Sequence, residues 1–249
     1  MTSPIVPAAN NGTINLPVPA SALAIGAHPD DIEFGAGGTL AKWAVAGCRI
    51  VMVIVTDGSK GSWDPDQDQD ELVATRSAEL QAAAAALGAE TTVQLGYVDG
   101  ELEYSMKLRG RICREIRIHT PEVVLSHDPW MRYQLHPDHR ATGFAATDGV
   151  VAARDHLFFP EQDLPPHRPS AILLWRADQD NHWEDIAGHI DAKVEALLFH
   201  SSQGTTTMGG DLTDASRADA FAQRMHEWAE RSGKDAGLGQ AEAFHRLTP

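Results

Sequence analysis

Six consecutive apolar residues, Ile50-Val51-Met52-Val53-Ile54-Val55, constrain the fold of this chain more than any other segment. A strand with one face in water alternates apolar and polar residues. One that is apolar on both faces must be covered on both sides, as a central strand of a parallel sheet is. The neighbouring segments agree with that reading. Leu23-Ala24-Ile25-Gly26-Ala27, Thr92–Leu95, Val123–Ser126 and Ala171–Trp175 read as further strands. Helical patterns separate them at about Gly35–Ala46, Asp70–Leu87, Lys107–His119, His139–Ala153 and Asp185–His200, and the last forty or so residues also read as helical. Gly88 follows the second helix where a C′ glycine belongs. Regular alternation of this kind implies parallel strands joined by right-handed crossovers. The expected fold is a Rossmann-like three-layer α/β sandwich with a mainly parallel sheet. Its active site should lie at the carboxyl ends of the strands. A single domain is expected over 21–249, after an irregular arm at 1–20 with four Pro and three Asn.

Charge narrows the partners. With 35 Asp+Glu against 20 Lys+Arg, the net charge of −15 opposes a phosphate backbone, so a nucleic-acid role is not expected. No segment reaches the roughly 18 continuous apolar residues of a membrane span. The N-terminus has no secretory pattern, and Cys48 and Cys113 read as buried free thiols, so a cytoplasmic location is expected.

Two motifs carry the chemistry. Ala27-His28-Pro29-Asp30-Asp31-Ile32-Glu33 follows the first strand, and His136-Pro137-Asp138-His139 follows the fourth. Both return to the same sheet edge. Two imidazoles and a carboxylate, His28, His139 and Asp31, are the donor set of catalytic zinc, which keeps one position for water. Fe²⁺ would also fit; Ca²⁺ and Mg²⁺ prefer oxygen alone. Asp30 is next to a ligand without being one, the position of a general base. His136 can stabilise an oxyanion or protonate an amine, with Asp138 as the carboxylate that fixes its tautomer and raises its pKa.

Other segments are weaker. Gly35, Gly37 and Gly38 suggest a phosphate loop, but Leu40 stands where G-x-G-x-x-G needs glycine, so close packing of the first helix is the better reading. The acidic stretch 64–71 reads either as a helix N-terminus or as a rim over the site. His127 is as readily structural as a neighbour of the site, and Trp175 is read as core.

Taken together, the two motifs resemble the signatures of the PIG-L/LmbE-like zinc de-N-acetylases. That family includes GlcNAc-phosphatidylinositol de-N-acetylases, the deacetylases of mycothiol and bacillithiol synthesis, and mycothiol conjugate amidases. The similarity extends through Val55-Thr56-Asp57-Gly58, Arg76-Ser77-Ala78-Glu79-Leu80, Leu95-Gly96-Tyr97-Val98-Asp99-Gly100 and His200-Ser201-Ser202-Gln203. It implies a metal on His28, Asp31 and His139, Asp30 as base, His136 as the charge-stabilising acid, and Arg76 and Asp99 against substrate. Some members of the family carry a Tyr two residues before the first His of the second motif. Gln134 holds that place here, so Tyr133 is the candidate to contact substrate. The resemblance implies hydrolysis of an N-acyl amide on a small amino-sugar conjugate. The alternatives are amidase action on a thiol conjugate or secondary metabolite, nucleotide binding, and a non-catalytic module. Oligomeric state is left open.

Overall fold

The computed structural model describes residues 12–249. Strands β1 (Thr13–Ile14), β2 (Ser21–Gly26), β3 (Arg49–Thr56), β4 (Thr91–Tyr97), β5 (Val123–His127), β6 (Ala171–Trp175), β7 (His182–Asp185) and β8 (Ala241–Leu247) form one sheet. Its order is β1-β7-β8-β6-β5-β2-β3-β4. All pairings are parallel except those of β8, which runs antiparallel between β6 and β7. The helices are α1 (Asp31–Val45), α2 (Gln69–Ala86), α3 (Met106–His119), α4 (Pro137–Ala153), α5 (Ile190–Leu198) and α6 (Ala215–Lys234).

The period-2 geometry of β3 explains its six apolar residues. Val51, Val53 and Val55 face a core shared with Leu108, Ile112 and Ile116 of α3 and with Ala145 and Val150 of α4. Ile50, Met52 and Ile54 face the opposite core, with Ile32, Leu40 and Trp43 of α1 and Leu80 of α2. The sheet is therefore covered on both sides, as the run demands. Outside α1, Val194 and Leu197 of α5 pack on Phe221 and Met225 of α6.

Several boundaries differ from the sequence reading. The expected helix over 185–200 starts only at Ile190, because His182–Asp185 is a strand. Its polar residues hid the strand signal, yet they are buried and paired. His182 Nε2 lies 2.9 Å from Glu184 Oε1, and Lys42 Nζ donates to Glu184 Oε2 at 2.5 Å. His182 is fully buried. The C-terminal region is not all helix: it ends in β8, whose buried Glu242 accepts from Gly38 N, Thr39 N and Lys193 Nζ. Of the arm expected at 1–20, residues 1–11 lie outside the described residues, and Thr13–Ile14 pair with β7.

The first-helix glycines do serve packing. A Cβ on Gly35 would meet Trp175 at 2.4 Å, and one on Gly38 would meet Ile186 at 2.8 Å. Cys48 and Cys113 are buried and unbridged. Among the described residues, no helix is long and apolar enough to cross a membrane.

Candidate active site

Strands β2 and β5 are neighbours at the centre of the sheet, so the loops leaving their carboxyl ends meet. The first motif turns from β2 into α1. Asp30 caps that helix with φ +109°, a left-handed conformation that an L-residue adopts at a cost of about 1–3 kcal/mol. The turn puts Asp31 in the first helical turn. The second motif starts α4, with His136 at its N-cap and Pro137 at its first position. His139 then sits one turn into α4, over the first motif.

The result is a cluster of imidazoles and carboxylates. His139 Nε2 lies 3.2 Å from Asp31 Oδ1, and His28 Nδ1 lies 3.2 Å from Asp31 Oδ2. The rings of His28 and His139 are 5.2 Å apart, and that of His136 is 4.5 Å from His28 and 4.8 Å from His139. His28, His136 and His139 offer ligand atoms close enough for one ion, as do Asp31, His127 and His139. His28, Asp99, His136 and Asp138 form a third such group. His139 Nδ1 is buried without a partner. So many nitrogen and oxygen donors at such spacing suit a borderline transition metal.

The electrostatics are those of a site built around positive charge. Burial opposes a charge on His28, yet hydrogen bonds to Asp138, Asp31 and Asp99 hold its pKa well above the ordinary value. Burial likewise works against ionised Asp31, but His139 and His127 outweigh it and hold that carboxyl well below the ordinary range. Asp30 behaves oppositely. Burial pushes it up to about 6, against the pull of Arg76.

Asp138 and Asp99 act differently from the sequence reading. Asp138 is fully buried and accepts from Gly100 N at 2.7 Å and Leu102 N at 3.3 Å. Its Oδ2 lies 3.2 Å from His28 Nε2, and Asp99 Oδ1 lies 3.0 Å from the same nitrogen. Only the backbone N–H of Asp138 reaches His136, donating to Nδ1 at 3.3 Å. The expected rise in the His136 pKa is not found: burial, with His28 and His139 beside it, moves it down. The carboxylate that was to raise it is turned toward His28.

Arg76, on α2, is 3% exposed. It donates from Nη2 to Pro29 O at 2.7 Å and from Nη1 to Gly58 O at 3.0 Å, and it stands 3.8 Å from Asp30 Oδ2. Tyr133 is not brought in. With φ +64° on a projecting loop it is 87% exposed and does not line the cavity.

That cavity, about 670 Å³, opens over the cluster and is walled by Lys60, Trp63, Arg176, Gln203 and Trp228 among others. Trp63 stands just before the acidic stretch 64–71, and no residue of that stretch lines the cavity. The stretch is a helix start, with Asp68 accepting from Glu71 N at the cap of α2. Trp228 carried no sequence signal, because it lies on an amphipathic helix far along the chain. His127 is 2% exposed and stacks on His139 at 4.3 Å. Strand position was its only mark in the sequence.

A mainly parallel sheet whose carboxyl edge carries side chains that could hold a metal ion, with a buried carboxylate beside them, is the arrangement of an α/β metal-dependent hydrolase. The profile of the GlcNAc-PI de-N-acetylase (PIG-L) family matches residues 23–150, and the chain belongs to that family. Diacetylchitobiose deacetylase of Thermococcus kodakarensis is 35% identical over 184 residues, covering 73% of this chain and 69% of that one. A probable N-acetyl-α-D-glucosaminyl L-malate deacetylase of Bacillus anthracis is 28% identical, covering 82% and 89%. The structure of N,N′-diacetylchitobiose deacetylase from Pyrococcus horikoshii superposes with a TM-score of 0.83 at 30% identity, covering 92% of this chain and 84% of that one.

Proposed function

We propose that this enzyme is a zinc-dependent N-deacetylase that releases acetate from the 2-acetamido group of a small N-acetylglucosamine-type conjugate. The observation that carries the reading is the approach of both His28 and His139 to Asp31, each at 3.2 Å, with Asp30 buried beside them and not among the clustered donors. Relatives named for deacetylation of diacetylchitobiose and of an N-acetylglucosaminyl malate support the amino-sugar substrate.

His28, Asp31 and His139 would hold the cation, with Fe²⁺ as the other metal their donor set accepts. When bound, zinc supplies a Lewis acid for the amide carbonyl and a water acidified toward a pKa of about 7. The remaining tasks fall on the protein. The Asp30 carboxylate accepts a proton from the attacking water as its oxygen bonds to the acetyl carbon. Arg76 keeps Asp30 in its left-handed turn through Pro29 O. His136 has Nδ1 engaged by the Asp138 N–H, which leaves a neutral ring with its proton on Nε2. That N–H donates to the negative charge developing on the carbonyl oxygen. The proton on Asp30 passes to the amine nitrogen as the C–N bond breaks, giving acetate and a free amine. Asp99 and Asp138 fix His28 through Nε2, the usual task of a carboxylate behind a metal-bound imidazole.

The test uses purified protein of measured metal content, with N-acetylglucosamine conjugates as substrates and mass spectrometry of the products. Zinc-loaded enzyme should release acetate, and a chelator should stop it. Asp30→Asn should keep its zinc and lose about 10²-fold or more in kcat; His139→Ala should lose the zinc. Acetate release indifferent to chelator, or a longer acyl product, would overturn the assignment.

A further inference from the structure

We infer that Trp175 and His127 form a positioning pair for Asp31: the indole N–H decides which nitrogen of His127 bears the proton, and that proton steadies Oδ2 of the Asp31 carboxylate. The inference rests on Asp31 being a metal ligand, as proposed above.

The pair is built by strand register. Parallel pairing of β5 with β6 sets His127 opposite Trp175, and both are buried. Trp175 Nε1 lies 3.1 Å from His127 Nδ1. An indole nitrogen only donates, so Nδ1 must present a lone pair and the ring proton belongs on Nε2. Nε2 faces Asp31 Oδ2 at 3.3 Å. Ala27 N–H also points at Nε2, 3.2 Å away, and a proton on Nε2 costs that backbone donor its acceptor. The opposite tautomer would keep the Ala27 bond, but it would set the ring N–H against the indole N–H and turn the Nε2 lone pair onto the Asp31 carboxylate.

Oδ2 accepts from His28 N at 2.7 Å, faces His127 and lies 3.2 Å from His28 Nδ1, while Oδ1 faces His139 at 3.2 Å. Gly35 belongs to the same device, because any side chain there would drive Trp175 off its line.

Two readings test the pair. In ¹⁵N-histidine-labelled wild-type protein, NMR should find His127 protonated at Nε2 and bare at Nδ1, with the signal assigned by its loss in His127→Gln. Zinc dissociation constants, taken by competition with a chelator, should rise roughly 10–100-fold in His127→Leu. Trp175→Phe should fall between that variant and wild type. His127→Gln, which restores an N–H toward Asp31, should recover most of the affinity; a purely space-filling role would favour Leu and Gln alike. A proton found on Nδ1, or wild-type zinc affinity in His127→Leu, would overturn the inference. Should the Leu variant not fold, the tautomer of the wild-type protein decides. Neither reading uses the acetamide substrate, so failure of deacetylation would leave both standing.

Discussion

Asp180 shows how far from the reacting centre a single carboxyl can matter. Burial and the nearby Asp235 push its pKa from 3.8 up to about 6. A carboxyl with a raised folded-state pKa holds its proton more tightly when folded. Its contribution is therefore fully present below the unfolded pKa and is lost as pH rises through about 6. Asp180→Asn should raise Tm at pH 8 and give no gain at pH 4, as thermal melts at the two values would show. Asp180 carried no motif, and its surroundings come from residues far apart in sequence. The candidate site residues were legible for the opposite reason: His28, Asp30 and Asp31 fall within four residues, and His136 and His139 share one helical turn. Their outer partners were not. Asp138 sits beside His136 in sequence but serves His28, because its side chain points under the loop at Gly100. His127 and Trp175 meet only through strand register.

At the level of elements, β3 was legible because burial on both faces leaves no polar position, and β6 was found to the residue. Strands β7 and β8 were missed because their interior residues, His182, Glu184 and Glu242, are polar and satisfied by partners a sequence does not display. The first part of the stretch 154–170, which carries no motif, is gathered around one side chain. Arg117 of α3 donates to the carbonyls of Ala152, Ala153, Asp155, Phe158 and Phe159 and to Gln162 Oε1. Arg117→Met should cost about 3 kcal/mol in urea denaturation, since it strands two buried and three part-buried carbonyls at once. A second prediction concerns α4. Gly-to-Ala inside a helix ordinarily stabilises by up to about 1 kcal/mol. At Gly143 a Cβ would meet His127 O at 2.6 Å and Pro129 N at 3.0 Å. Gly143→Ala should therefore destabilise, and by lifting α4 it should also weaken zinc binding through His139.

Over the whole molecule, the apolar run and the strand–helix alternation were enough to foresee a covered, mainly parallel sheet. Nothing local revealed that its last strand would be inserted rather than added at an edge. Among the described residues, β7 pairs only with β1 and β8, and β1 only with β7. The Glu184 carboxyl on that flank is opposed by burial, yet His182 and Lys42 hold it below 4.5. Its stabilisation is present above the unfolded pKa and fades as pH falls through the depressed folded value. Glu184→Gln should flatten the acid limb of the stability profile, which equilibrium denaturation between pH 3 and 7 would detect. The insertion of β8 also bears on how the protein is made. While residues 241–247 remain inside the ribosome, β7 has no neighbour but two residues of β1, and its buried ionic groups have no roof. The nascent polypeptide must carry an unfinished flank until that segment emerges, so a message that stalls shortly before it would yield a product with an open, adhesive sheet edge.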